Sequence, residues 1–169
     1  MSIEGMSPDF VNQLKKTTVK PEYRAAVNSM VNDLMSWGNF YILYGAGIDQ
    51  DVMTFLVRSL ALLKISWKPV ASISDVDTAG PDDALLAIFD GGNSGIGEAV
   101  KLAGINEMSV YVIAKFESDF TSLADEAIIL DDEYFNAELM NIFGGILAKL
   151  IDMVDDNKVE MKRSHFMGH

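Results

Sequence analysis

The chain has 169 residues, no cysteine and two histidines, and its 25 Asp+Glu against 13 Lys+Arg give a formal net charge of −12. That length sustains an apolar core without cross-links, and the missing thiols exclude disulfides, thiolate zinc sites and cysteine nucleophiles. The acid excess argues against a nucleic-acid partner, which needs a basic stripe to neutralise phosphates, and it opposes a small anionic ligand unless a pocket reverses the field locally.

An apolar content of 49% is that of a folded globular protein rather than a disordered one. The first residues show no basic stretch followed by an apolar run, and runs such as ALLAIF at 84–89 are too short to span a bilayer. The expectation is a cytoplasmic protein with no membrane and no nucleic-acid partner. With His165 and His169 as the histidines, no histidine-rich metal cluster is expected.

In chain order, SPDFVNQLKK (7–16) opens with a helix-start signal, and Pro21 opens a longer helix to about Trp37, closed by Gly38. Its stripe is Tyr23, Ala26, Val27, Met30, Val31 and Leu34. FYILY (40–44) has the length and character of a strand, Gly45-Ala46-Gly47 follows it, and 51–63 has helical periodicity. WKPVAS (67–72) and ALLAIF (84–89) are strand candidates on either side of the Gly80-Pro81 break. GGNSGIG (91–97) then reads as a loop into the helix EAVKLAG. SVYVIA (109–114) is a strand, 119–124 a short helix, AIIL (127–130) the last strand, and 134–154 a long amphipathic helix. On that helix Met140, Phe143, Leu147, Leu150 and Ile151 read as core or subunit interface, with Gly144-Gly145 permitting close approach.

Apolar strands alternating with helices predict a three-layer α/β/α fold around about five parallel strands, flavodoxin-like, preceded by N-terminal helices. The expected organisation is a single domain, with N-terminal helices over 1–38, the α/β core and closing helix over 39–154, and a tail over 155–169. Ligands of such sheets sit at the carboxyl ends of the strands beside the topological switch point, which makes 45–50 and 90–97 the candidate loops.

Gly45 and Gly47 let backbone amides approach an anion, yet they equally serve a tight strand-to-helix turn. A dinucleotide fingerprint would put a third glycine where Gln50 stands. The second loop, Asp90-Gly91-Gly92-Asn93-Ser94-Gly95-Ile96-Gly97, offers amides and the Ser94 hydroxyl to an oxyanion, although Asp90 would repel one. A flexible surface loop is the plain alternative.

This order of elements resembles the sugar isomerase (SIS) family of phosphosugar-binding proteins. The segment ESDFTSLADEAIIL, with Ser118, Phe120, Ala124 and Asp125, is similar to that family's stretch before its final strand. The long closing helix, acidic spacer and EMKRSHFMGH resemble the C-terminal signature of the 6-phospho-3-hexuloisomerase branch, and the likeness runs from about residue 20 to 166. The resemblance implies a homodimer or homotetramer that binds sugar phosphate between subunits. It also implies cofactor-free interconversion of 3-hexulose 6-phosphate and fructose 6-phosphate through an enediol. Such chemistry needs a base at carbon, an acid at the carbonyl oxygen and a phosphate clamp.

By the same resemblance Glu138 stands near the expected base and His165 matches the tail histidine, a group that titrates near neutral pH. The plain alternatives are a solvated helix acid and a terminal residue. Both loops depart from the family pattern. Ile48 and Asp49 stand where Arg-Ser is usual, and Asp90-Gly91-Gly92-Asn93 where Ser-Gly-Ser-Gly is usual. Losing several charge-assisted hydrogen bonds could lower phosphosugar affinity by more than ~10³-fold. Compensating cations would be Lys115, Lys162 or Arg163 of a neighbouring subunit. The substrate-binding candidates are therefore Gly45, Gly47, Asp49, Asp90, Gly91, Gly92, Asn93, Ser94 and Gly95. A protein that kept the fold but lost catalysis, and binds or regulates, is the alternative function.

Overall fold

The computed structural model describes residues 6–89, 94–130 and 133–166, with side chains described throughout these except at 94 and 155–166. The elements are α1 (Pro8–Lys15), α2 (Arg24–Leu34), β1 (Phe40–Tyr44), α3 (Gln50–Leu62), β2 (Lys68–Pro69), β3 (Ala84–Phe89), α4 (Ser94–Ile105), β4 (Ser109–Ala114), β5 (Glu126–Ile129) and α5 (Phe135–Phe166). The strands form one five-stranded sheet in the order β2-β1-β3-β4-β5, and every pairing is parallel. This is the expected three-layer α/β/α architecture.

Both faces of the sheet are covered, which is why the strands read as unbroken apolar runs. Alternate residues face opposite ways. Ile42, Leu86, Ile88 and Ile113 point into the larger core beneath α1, α2, α3 and α5, with Phe143, Leu147, Leu150 and Ile151 of α5 buried there. Leu85, Ala87, Val110 and Val112 point into the second core, closed by α4. The apolar stripe of α5 thus serves this chain's own core. No helix among the described residues is long and apolar enough to cross a membrane.

Several expected boundaries move. Strand β2 shrinks from the expected WKPVAS to Lys68–Pro69, both exposed. It is an edge strand, and Pro69 has no N–H to extend a ladder. Residues 21–23 form a 3-10 turn and α2 stops at Leu34 rather than Trp37. Gly38 does not end that helix. A Cβ there would lie 1.6 Å from the Asp82 carbonyl oxygen, so the glycine lets two backbone segments pass in contact.

Helix α4 begins at Ser94, taking in Gly95 and Gly97, which the sequence reads as loop. Gly97 is a packing residue, because a Cβ would lie 2.4 Å from ring carbons of Phe120. The closing helix runs on past the expected end at residue 154 to Phe166. The expected tail boundary at 155 therefore falls inside helical backbone.

Candidate functional site

Strand order reverses between β1 and β3, so the crevice at their carboxyl ends is the switch point of this sheet. Gly45 leaves β1 there. Its N–H donates to the Ile88 carbonyl at 2.9 Å, and a Cβ would touch the Ile96 side chain at 3.4 Å. That is ordinary van der Waals contact, so packing alone does not require a glycine at 45. Gly47 has open space around it.

The next two residues are occupied structurally. Ile48 is buried in the larger core. Asp49 caps α3, its carboxylate accepting the Asp51 N–H at 2.8 Å while its carbonyl accepts the Met53 N–H at 3.2 Å. Of the second loop, Asp90, Gly91, Gly92 and Asn93 lie outside the described residues. Ser94 is the first residue of α4 and Gly95 is exposed beside it.

A cavity of about 250 Å³ opens beside that helix start, between Leu43 and Val70 on one side and Gly95, Ile96 and Ala99 on the other. Ser72 forms its polar wall, hydrogen-bonded through Oγ to Ser74 Oγ at 2.7 Å. Beneath it the Asp75 carboxylate accepts the N–H groups of Ala71 at 2.7 Å and Ser72 at 3.0 Å, which holds its pKa below the usual carboxylate value. This turn was legible as a Ser-x-x-Asp capping box at 72–75, a signal the sequence reading passed over. Small volume, mostly apolar walls and a few fixed polar groups suit one small ligand.

One basic residue follows the neighbouring strand. Ala114 pairs with Phe89, so Lys115 leaves β4 one residue beyond the end of β3, with its Nζ 5.4 Å from the centre of the Phe135 ring. The side chains of Lys162 and Arg163 are outside the description.

Glu138 lies in the first turn of α5, with its Oε1 2.7 Å from Lys20 Nζ. The hydrogen bond and the charge of Glu138 raise the pKa of Lys20. Tyr23 completes the corner, its hydroxyl donating to the Ile129 carbonyl at 3.4 Å; burial, then the charge of Glu138, raise its pKa. Lys20 is a partner the sequence reading missed, because nothing local links residues 118 positions apart. The Glu138 corner flanks β5, two strands or roughly 10 Å across the sheet from β3.

His165 is a residue of α5, with its side chain outside the description. Glu138 and His165 are 27 residues apart on one continuous helix, a rise of about 40 Å. They cannot share a substrate within one chain, since both proton-transfer partners need hydrogen-bond reach of it. The segment that carries the family likeness also has structural duties here. Ser118 Oγ accepts the N–H groups of Phe120 and Thr121 at 3.2 and 3.4 Å, and Asp125 accepts the Val110 N–H at 2.7 Å, fixing the approach to β5.

No protein-family model matches the chain, and no curated protein matches it by sequence. Solved structures do. One is a hypothetical protein of Methanococcus jannaschii for which a 3-hexulose-6-phosphate isomerase function was inferred; it is 16% identical over 86% of each chain, with a TM-score of 0.64. The sugar isomerase domain of an RpiR transcription factor from Sphaerobacter thermophilus is 15% identical over 93% of this chain and 92% of that one, at 0.63. The Vibrio vulnificus NanR protein, solved with ManNAc-6P, is 15% identical over 95% of this chain and 66% of that one, at 0.58. Five parallel strands in this order, the glycine turn after the first and the near full-length overlap with these neighbours give the chain the fold of the sugar isomerase (SIS) domain.

Proposed function

We propose that the chain binds a sugar phosphate in the crevice between the carboxyl ends of β1 and β3, the phosphate at the start of α4 and the sugar in the cavity beside Ser72. The carrying observation is that cavity, open beside the N-terminus of α4 at the switch point, where a helix terminus favours an anion. In this reading the candidate cation is Lys115, which follows β4 one residue beyond the end of β3. The neighbour holding ManNAc-6P supports the ligand class. Calorimetric titration with fructose 6-phosphate tests this reading. Saturable binding that weakens in Ser94→Ala supports it, and equal binding by the variant would overturn it.

The second reading is catalysis, favoured by overlap along 86% of a protein with an inferred 3-hexulose-6-phosphate isomerase function. Glu138 would take the proton from the hydroxyl-bearing carbon beside the ketone, leaving an enediol. His165 would protonate the former carbonyl oxygen; return of the proton from Glu138 to the former carbonyl carbon, with the other enediol hydroxyl giving its proton back to His165, forms the new carbonyl and completes the transfer. Because about 40 Å of helix separates the two residues, this reading requires a homodimer or homotetramer in which the end of one α5 meets the start of another. A coupled assay with 3-hexulose 6-phosphate decides it: turnover equal to that of Glu138→Gln removes the assignment.

A further inference from the structure

The chain between α1 and α2 holds the sequence KKTTVKPEYR, in which Lys15, Lys16, Lys20 and Arg24 fall within ten residues against one acid, Glu22. Gly144 and Gly145 of α5 let this segment lie directly on the helix. A Cβ at Gly144 would be 3.1 Å from Thr17, and one at Gly145 would be 2.2 Å from Val19. The result is a groove of about 520 Å³ between the connection and α5, lined by Lys15, Lys16, Arg24 and Lys149 with the Thr17 and Thr18 side chains between them. Among the described residues Asp152 is its one acid, so this lining carries four positive charges and one negative, a net of +3.

Helix chemistry explains part of this. Lys15 and Lys16 stand at the C-terminus of α1, where cations are favoured, and Lys15 is bridged to Asp152 at 3.4 Å. It does not explain Arg24, which is the first residue of α2, the positive end of a helix whose first turn has no acid. Among the described residues Lys16, Arg24 and Lys149 make no ion pair, although the chain carries nearly two acids for every cation. Lys20 is turned away to Glu138. The acid excess does not forbid an anion here, because beyond a Debye length of about 8 Å the distant carboxylates are screened while the lining charges act at contact.

We infer that this groove is a second anion site, separate from the β1/β3 crevice, and that it takes a small multiply phosphorylated molecule. Three cations of one lining, without an ion pair among the described residues, match a chain of linked phosphates rather than a single one, and the volume lies within the range of small-molecule sites.

The test is calorimetric titration of the full chain with inorganic tripolyphosphate. One saturable site per chain is expected, weakened by added salt. The Lys16→Ala/Lys149→Ala pair, both exposed and so tolerated by the fold, should weaken it roughly 30-fold or more, and Lys16→Arg/Lys149→Arg should retain it. The Arg58→Ala/Lys68→Ala pair removes the same net charge elsewhere and should leave binding unchanged, as should Ser94→Ala/Lys115→Ala in the crevice. Absence of saturable binding overturns the site. So does equal weakening in the Arg58/Lys68 pair, which would mark diffuse attraction, or loss in the Ser94/Lys115 pair, which would place the probe in the crevice.

Discussion

Lys20 Nζ sits 2.7 Å from Glu138 Oε1, tying the connection between α1 and α2 to the first turn of α5. Lys20 is more exposed than Glu138, with side-chain accessibilities of 56% and 18%, so the pair has a wet end and a sheltered end. Lys20→Met is expected to change stability little, as with other exposed pairs. If Glu138 handles the substrate proton, the same change should alter the pH dependence of turnover, while Glu138→Gln abolishes turnover. A pH–rate profile that Lys20→Met leaves unmoved would detach the pair from chemistry.

Glycine substitutions should rank by what a Cβ meets. Gly47→Ala finds open space and ordinary backbone, and should be neutral or stabilising by up to about 1 kcal/mol. Gly97→Ala drives a methyl into the Phe120 ring, an overpacking cost of ~1–3 kcal/mol that exceeds the ~1 kcal/mol gained in helix propensity. Gly38→Ala meets backbone at 1.6 Å and should be the most damaging. Thermal melts of the three variants check the order.

Asp49 should behave as a cap. Asp49→Ala is expected to lower stability by about 1 kcal/mol, and Asp49→Ser to restore most of it. Sugar-phosphate affinity should not fall in either variant. A loss of affinity with unchanged melting would make Asp49 a ligand contact instead.

The Tyr111 hydroxyl donates to the Asp33 carboxylate from a buried position on β4, and burial together with Asp33 raises its pKa well above the usual tyrosine value. The native state therefore keeps this proton when the unfolded chain gives its own up near pH 10. Above that pH the unfolded state binds fewer protons, so stability falls as pH rises. Tyr111→Phe should be less stable than the parent at pH 8, by about 1–3 kcal/mol for the lost partner of Asp33, and should show a shallower decline above pH 10. Denaturant melts between pH 8 and 11.5 measure both.

The sequence showed the sheet clearly and the site only in outline. Strands buried on both faces write themselves as apolar runs, so FYILY, ALLAIF and SVYVIA coincide with β1, β3 and β4. The start of α4 was misread because Gly95 and Gly97 signal loop locally, whereas Gly97 answers to Phe120, 23 residues away. The end of α5 was misread because the apolar stripe stops near Val154. Beyond it the helical backbone continues to Phe166 without that stripe. Glu138 was found by resemblance, but its partner Lys20 and its roughly 40 Å separation from His165 exist only in three dimensions.

Lys115→Ala carries the crevice reading furthest, because it removes the cation that follows β4. Calorimetric titration of fructose 6-phosphate into the parent and this variant should give saturable binding in the first and at least ~10-fold weaker binding in the second, as loss of one charge-assisted contact requires. Equal affinities, or no saturable binding by the parent, would contradict a sugar-phosphate site between β1 and β3.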